Sequence, residues 1–290
     1  MADSLHWNRK SSSVHMKTVY PAGPGLPILT FPQLSECGIV THGFTTRLGG
    51  VSQGYFSSLN LSFSRGDDPG AVRENFRILA KALRVPESRF VFSDQTHTSN
   101  VRIVTEEDAG KGIVRESDFR DIDGMITDTP GLMLFTFHAD CPPVYLVDPV
   151  RRAIGLSHSG WRGTAARIGK VTLERMRENF GTDPADVLAA VGPSICRSCY
   201  EVSEDVAEIF RAEFSGQENE IMDRKENGKY QLDLWKTNEL ILLEAGVRPE
   251  NISVTDLCTS CNPDLLFSHR RTNGKRGNLA AFLMLNPSEK

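Results

Sequence analysis

The chain has 290 residues, 39% of them hydrophobic, with a formal net charge of −4 and a pI near 6.0. That length and apolar content suffice for a large core in one domain or two duplicated halves, and the slightly acidic balance removes the electrostatic ground for binding nucleic acid or an anionic membrane. No stretch approaches the roughly 18 apolar residues of a membrane span, and the opening MADSLHWNRKSSSVHMK lacks the apolar centre of a secretion signal, so a cytoplasmic protein is expected.

Residues 1–28, polar and then rich in Pro and Gly, offer almost no periodic apolar positions and read as a loose N-terminal extension. The remainder, 29–290, reads as one folded domain. In it, GIVTHGFTTRLGGVSQGYFSSLNLSF begins as a strand and becomes a long Gly/Ser/Thr loop, a length that usually serves function. Asp68-Pro69 then opens a helix with an N-cap acid and a first-turn proline, and Val72, Phe76, Leu79 and Leu83 give it one apolar face.

From about residue 90 to 160 the period changes to that of strands: RFVFSDQTH, NVRIV, DGMITD, GLMLFTFHADC, PVYLVD and RRAIGLSH, divided by Gly, Pro and Asp turns. TAARIGKVTLERMRENFG predicts a helix, with Ile168, Val171, Met176 and Phe180 inward and Gly181 as its C-cap. Strand VLAAVG, helices SEDVAEIFRAEF and LWKTNELILLEAG, and strands ISVTD and LAAFLML complete the chain, while the charged FSGQENEIMDRKENGKYQ reads as a surface excursion or hairpin. Interleaved helices with consecutive strands in the middle predict an α+β sandwich rather than a regular parallel α/β fold. There is no short internal repeat, heptad pattern or linker.

Six cysteines are too few for a disulfide scaffold at this length, and a cytosolic setting keeps thiols reduced, which turns attention to metals and catalysis. His97 in SDQTHTSNV, Cys141 in FHADCPPV and His158 in GLSHSGWRG each fall at the end of a predicted strand, where loops escape the ladder and sites are built. One cysteine and two histidines would make a zinc site with a fourth position left for water or substrate. The plainer alternative keeps both histidines as hydrogen-bonded turn residues and Cys141 as a buried thiol. His138 competes at an H-x-x-C spacing, but positions three apart on a strand face opposite ways. A nucleophilic alternative makes Cys141 a thiolate activated by a histidine and oriented by Asp140. GLSHS lacks the last glycine of a serine elbow.

Cys196/Cys199 and Cys258/Cys261 form two C-x-x-C pairs. Such pairs point to a structural metal or a reversible disulfide, although their separation far exceeds the roughly 15–20 residues of a compact ribbon. Arg47 lies in the Gly-rich loop, Arg162 follows His158 at a helix start, and Arg270-Arg271 precede TNGKRGN. Arginine suits planar recognition of phosphate or carboxylate, and free N–H groups at a helix start suit an anion, although surface ion pairing is the commoner fate of any one arginine.

Seven segments in this order, THGFTTRLGGVSQGYFSSLNL, DQTHTSNV, DIDGMITD, HADCPPVYLVD, GLSHSGWRGT, VGPSIC..CYEV and LFSHRR, resemble the YfiH family, also called laccase-domain or polyphenol-oxidase-like proteins, over about residues 35–285. The resemblance implies a single-domain α/β/β/α sandwich of mixed sheets with zinc at the strand ends. Members carry the metal on the histidine of V-H-G, the cysteine of A-D-C-x-P and the histidine of H-A-G-W-R-G, which become His97, Cys141 and His158. The chain departs from the pattern with Thr98 for that glycine, Ser159 for that alanine, and LFSHRRT for F-F-S-Y-R-R-D.

The resemblance also implies phosphorolysis of adenosine, inosine and methylthioadenosine, with adenosine deamination as a second activity. Purine nucleoside and phosphate are then the partners, in a monomer or weak homo-oligomer. Arg47, Arg162 and Arg271 are the expected substrate-binding residues, Arg47 also catalytic with His97, Cys141 and His158. No H-x-E motif marks a proton shuttle, which leaves Asp94 or Asp140. The laccase label implies copper and phenol oxidation instead; a multicopper oxidase needs on the order of ten histidines, and the chain has 7. A Cys-His hydrolase and a non-catalytic nucleoside-binding module are the remaining alternatives.

Overall fold

A computed structural model describes residues 5–13, 15–23 and 25–287. In chain order the strands are β1 (Lys17–Val19), β2 (Ile28–Thr30), β3 (Val40–Thr45), β4 (Phe90–Phe92), β5 (Val101–Ile103), β6 (Gly124–Thr127), β7 (Met133–His138), β8 (Pro143–Asp148), β9 (Ala153–His158), β10 (Leu188–Val191), β11 (Glu201–Val202), β12 (Met222–Arg224), β13 (Tyr230–Leu232), β14 (Ile252–Val254) and β15 (Leu279–Leu285). The α-helices are α1 (Pro32–Glu36), α2 (Pro69–Leu83), α3 (Trp161–Ala165), α4 (Ile168–Phe180), α5 (Glu204–Glu213), α6 (Glu218–Ile221), α7 (Leu234–Glu244) and α8 (His269–Thr272).

The apolar runs in β7, β8, β9 and β15 are too short for helices and are buried almost throughout, the condition of strands covered on both faces. One six-stranded sheet has the order β1-β2-β3-β15-β7-β4, a second has β14-β10-β8-β9-β6-β5, and β11-β13-β12 form a small third. Strand alternation divides the side chains between two layers. On β7, Leu134 joins Phe44 and Leu283 against Tyr145, Ile154 and Leu156 of the opposite sheet. Its neighbours Met133 and Phe135 point outward, where Val72, Phe76 and Leu79 of α2 cover them. The outer face of the second sheet, including Ile126, Val144 and Leu146, packs on Leu173 and Met176 of α4 and Leu242 of α7. The result is the expected α/β/β/α sandwich of mixed sheets.

Two expectations change in the structure. The helix predicted as one run from Thr164 is divided, because Arg167 adopts a left-handed φ of 56° between α3 and α4; α4 then ends at Gly181 (φ 70°) as anticipated. The N-terminal segment is not loose in its described residues, while residues 1–4, 14 and 24 lie outside them. Met16 is 1% exposed in the inter-sheet core, β1 extends the first sheet antiparallel to β2, and Arg9 pairs with the buried Asp256. Scattered apolar anchors (Met16, Leu26 and Ile28, with Trp7 packed against the core), a three-residue edge strand and polar contacts hold the segment without the periodicity that a helix or long strand would display. FSGQENEIMDRKENGKYQ does form a hairpin, β12–β13.

Tyr145 of β8 crosses the core, donating its hydroxyl to the Gly43 carbonyl of β3 at 2.9 Å, with both ends buried. Removing the hydroxyl leaves that acceptor without its cross-sheet partner in a dry layer. Tyr145→Phe should therefore lower unfolding stability by about 1–2 kcal/mol, measured by denaturant titration; an unchanged midpoint and slope would refute the contribution of this bond.

Candidate metal centre

Sheet topology gathers the strand-end residues. His158 closes β9 and pairs with Pro143 at the start of β8, so the β7–β8 turn carrying Asp140 and Cys141 lies beside it. Gly124, which opens β6, pairs with Ser157 and also with Val101 at the start of β5. Asp123 and the loop bearing His97 consequently reach the same sheet end. Sequence separation is erased by adjacency within one sheet.

His97, Cys141 and His158 bring their ligand atoms within 4.8 Å of one another. The fit depends on Gly160: a Cβ there would lie 2.9 Å from His97 Cδ2 and 3.0 Å from Cys141 Sγ. His97 and Asp140 occupy left-handed backbone conformations, φ 67° and 89°, which for side-chain-bearing residues persist only where neighbours hold them. Asp140 is held by Thr259 Oγ1 and the Arg270 N–H, which donate to its carboxylate at 2.6 and 2.7 Å.

His97 is held through Asp123, a buried carboxylate on which five donors converge. Backbone N–H groups of Thr96, His97 and Thr98 reach it at 3.0, 3.1 and 2.8 Å, and Thr98 Oγ1 at 3.1 Å. The fifth is His158 Nδ1 at 2.8 Å. Because a carboxylate only accepts, Nδ1 carries the proton and Nε2 is left to face the centre, the usual way an outer carboxylate fixes a metal-ligating imidazole. Burial pulls the His158 pKa down, but the Cys141 charge and the Asp123 bond outweigh it and lift the pKa to about 9. Burial pushes the Cys141 thiol up, and the charge and hydrogen bonds of His158 and His97 bring it down to about 6. A thiolate poised among imidazoles is a soft donor set that releases a proton when an ion enters.

The other sequence candidates take different places. His138 has both ring nitrogens engaged, Nδ1 with the Cys141 carbonyl at 2.9 Å and Nε2 with Thr136 Oγ1 at 2.8 Å, so it braces the turn. Ser157 and Ser159 are buried and bonded to Thr172, Thr164 and Asn238, which removes the serine elbow. Asp140 has both oxygens committed, whereas Asp94 lines the cavity beside the centre.

That cavity, of about 350 Å³, is walled by Phe63, Phe92 and Phe137 and by His97, Cys141 and His158. Its arginines are Arg65 and Arg276, not the expected three. Arg47 instead ties its own loop to the segment around residues 263–267, donating to the carbonyls of Ser57 at 2.7 Å and Pro263 at 2.8 Å and lying over the Phe267 ring. A Gly/Ser-rich loop without a ladder leaves carbonyls that a multi-donor side chain satisfies. Arg162 stacks over Trp161 on α3, and Arg271 is exposed on α8; neither lines the cavity. Burial and the neighbouring Arg65 lower the Arg276 pKa to about 10, the situation of a cation waiting for an anion. The signal available for this pair was an arginine before glycine in two polar loops, Arg65-Gly66 and Arg276-Gly277.

Comparison with known proteins follows the same lines. The family model described as multi-copper polyphenol oxidoreductase laccase matches residues 41–286. A purine nucleoside phosphorylase of Deinococcus radiodurans is 41% identical over 90% of this chain and 94% of its own length. The purine nucleoside phosphorylase YlmD of Bacillus subtilis is 38% identical over 84% of this chain and 88% of its own. The crystal structure of YlmD from Geobacillus stearothermophilus superposes with a TM-score of 0.87 at 34% identity, covering 95% of this chain and all of that one. A family match over most of the sequence, the same sandwich and these long alignments establish that the chain belongs to the laccase-like family of YfiH and YlmD.

Proposed function

We propose that the chain is a zinc-dependent purine nucleoside phosphorylase acting on adenosine, inosine and methylthioadenosine, with adenosine deamination as a second activity. The observation that carries this reading is one cavity joining a Cys/His donor trio to two arginines and an aromatic wall. The names of the relatives support the substrate class, and the volume is that of a small-molecule site.

His97, Cys141 and His158 would hold the ion, and three protein donors is the number that catalytic zinc keeps. When bound, the ion supplies Lewis acidity toward a reacting oxygen. Arg65 and Arg276 bind and orient phosphate through planar N–H forks. Phe63, Phe92 and Phe137 offer ring faces to the purine and keep water from it. In phosphorolysis a phosphate oxygen forms a bond to the ribose C1′ while the C1′–N9 bond breaks. The base leaves with that electron pair and needs a proton, for which the Asp94 carboxyl is the cavity's candidate donor. In deamination the oxygen of water bonds to the purine C6 as the C6–N bond breaks; the same group, as carboxylate, takes one proton of that water and passes it to the departing amino nitrogen, which leaves as ammonia, while the other proton ends on N1.

A phenol-oxidising copper cluster has less support. His97 and His158 converge, His138 is spent on the turn, and no histidine array near the order of ten joins them among the described residues. The Cys141–His158–Asp123 alignment would also suit a thiol nucleophile, which separates from the zinc reading by its response to chelation.

Incubation with inosine and phosphate should yield hypoxanthine and ribose 1-phosphate, with activity lost on chelation and restored by zinc. Absence of both products from protein loaded at the trio would overturn the proposal, as would activity that survives chelation but not alkylation of Cys141. Cys141→Ala should remove one metal ion per chain, and Asp123→Ala should weaken metal affinity at the trio by about 10–100-fold, read by competition with a chromogenic chelator. Arg276→Ala should raise the KM for phosphate by roughly 10-fold or more, as loss of a charged hydrogen bond implies, with the nucleoside KM nearly unchanged; equal effects on both would place Arg276 outside the phosphate site.

A further inference from the structure

Cys196/Cys199 and Cys258/Cys261 take no part in the reaction above. Their partners lie 62 residues apart in sequence, too far for a compact ribbon, and topology closes the gap. β10 and β14 pair in parallel, so the loops that follow them leave the sheet at the same end. A parallel bridge from Ser194 to Cys258 and the Thr259 N–H donated to the Ser194 carbonyl at 3.0 Å extend that pairing into the two cysteine loops.

All four sulfurs then lie within 4.8 Å of one another, with Cys199 and Cys261 at 3.4 Å. Tetrahedral coordination with Zn–S bonds of about 2.3 Å sets sulfurs roughly 3.8 Å apart, so this grouping approaches a ligand set. Disulfides would require closeness only in pairs, whereas here every sulfur is close to every other. The Cys196 N–H points at Cys258 Sγ at 3.3 Å, and the Lys10 side chain reaches Cys261 from the N-terminal segment. A divalent ion on four thiolates carries a net charge of minus two, which a lysine ammonium partly offsets.

We propose that Cys196, Cys199, Cys258 and Cys261 form a second metal site, a four-thiolate centre for zinc or an ion of similar softness and tetrahedral preference. Binding forms four metal–sulfur bonds and releases the thiol protons to solvent. The centre is a staple with a particular target. Ile195, beside Cys196, donates its N–H to the Asp140 carbonyl at 3.0 Å, and Thr259, between Cys258 and Cys261, donates its hydroxyl to the Asp140 carboxylate at 2.6 Å. Both cysteine loops thus grip the left-handed residue that precedes Cys141. The four cysteines act on the catalytic trio as positioning residues.

The Cys141→Ala chain, in which the trio is broken and the four cysteines remain, isolates the proposal from the phosphorylase reading. Purified under reducing conditions, it should hold about one zinc per chain by plasma mass spectrometry, against about two for the unmodified protein. Adding Cys196→Ser and Cys258→Ser should remove the remaining ion. Cobalt loaded into Cys141→Ala should give tetrahedral d–d bands with strong thiolate-to-cobalt charge transfer, a readout that leaves the four cysteines untouched should the triple variant not fold. A Cys141→Ala chain that binds neither zinc nor cobalt would overturn the site. So would a thiol titration of the unfolded, unreduced protein with four thiols missing, because the cysteines would then be paired as disulfides.

Discussion

A buried carboxylate in a low-dielectric interior is tolerated only where donors surround it, and Asp123 meets that demand with the backbone of one loop and the side chain of one strand. It is fully buried, and its donors are three consecutive N–H groups of residues 96–98, the Thr98 hydroxyl and His158. The same requirement that keeps the charge solvated therefore fixes two of the three candidate ligands relative to each other. His97 owes its left-handed backbone to this grip, and His158 its tautomer. Loss of the carboxylate would free both, although it touches neither metal nor substrate in the proposed reaction.

The sandwich supplies the rigidity behind that arrangement. β6, β8 and β9 are neighbours in the second sheet, so Asp123, Cys141 and His158 are separated by ladder spacings rather than by loop conformations. What the ladder cannot do is let three side chains meet without a fourth intruding, and Gly160 solves that by having none. The turn through Asp140 is the weak link, since its backbone is strained and it hangs on bonds from residues more than fifty positions downstream. Support from a stapled pair of loops is a physical answer to a strained turn.

The strands and the candidate trio are legible because burial on both faces leaves apolar runs, and because His97, Cys141 and His158, which the fold brings together, interrupt or terminate them. Asp123 was harder to see. DIDGMITD reads as a turn leading into a strand, and nothing local tells that Asp123, unlike the nearby Asp121, is buried beneath a loop some 25 residues earlier. The arginines were misassigned for a related reason: Arg47 lies in the motif-rich loop, yet loop carbonyls claim it, whereas Arg65 and Arg276 sit in unremarkable polar turns that the fold brings to one cavity. The N-terminal segment conceals its docking because Trp7, Met16, Leu26 and Ile28 are too widely and irregularly spaced to carry a period.

The departures from the family pattern fall outside the cavity lining, two of them directly behind the candidate donors. Thr98, in place of glycine, adds a hydroxyl to Asp123 and so tightens the His97 loop. Ser159, in place of alanine, turns into the buried network of Thr164 and Asn238 under α3. Both act behind the ligands and leave the donors as they are. His269, in place of tyrosine, differs in kind: it opens α8 as an exposed residue outside the cavity lining, and burial, Arg276 and Arg65 lower its pKa against a raising contribution from Asp140. Thr98 and Ser159 thus brace the candidate trio from behind, where a change of residue alters the support of the donors and not the donors themselves.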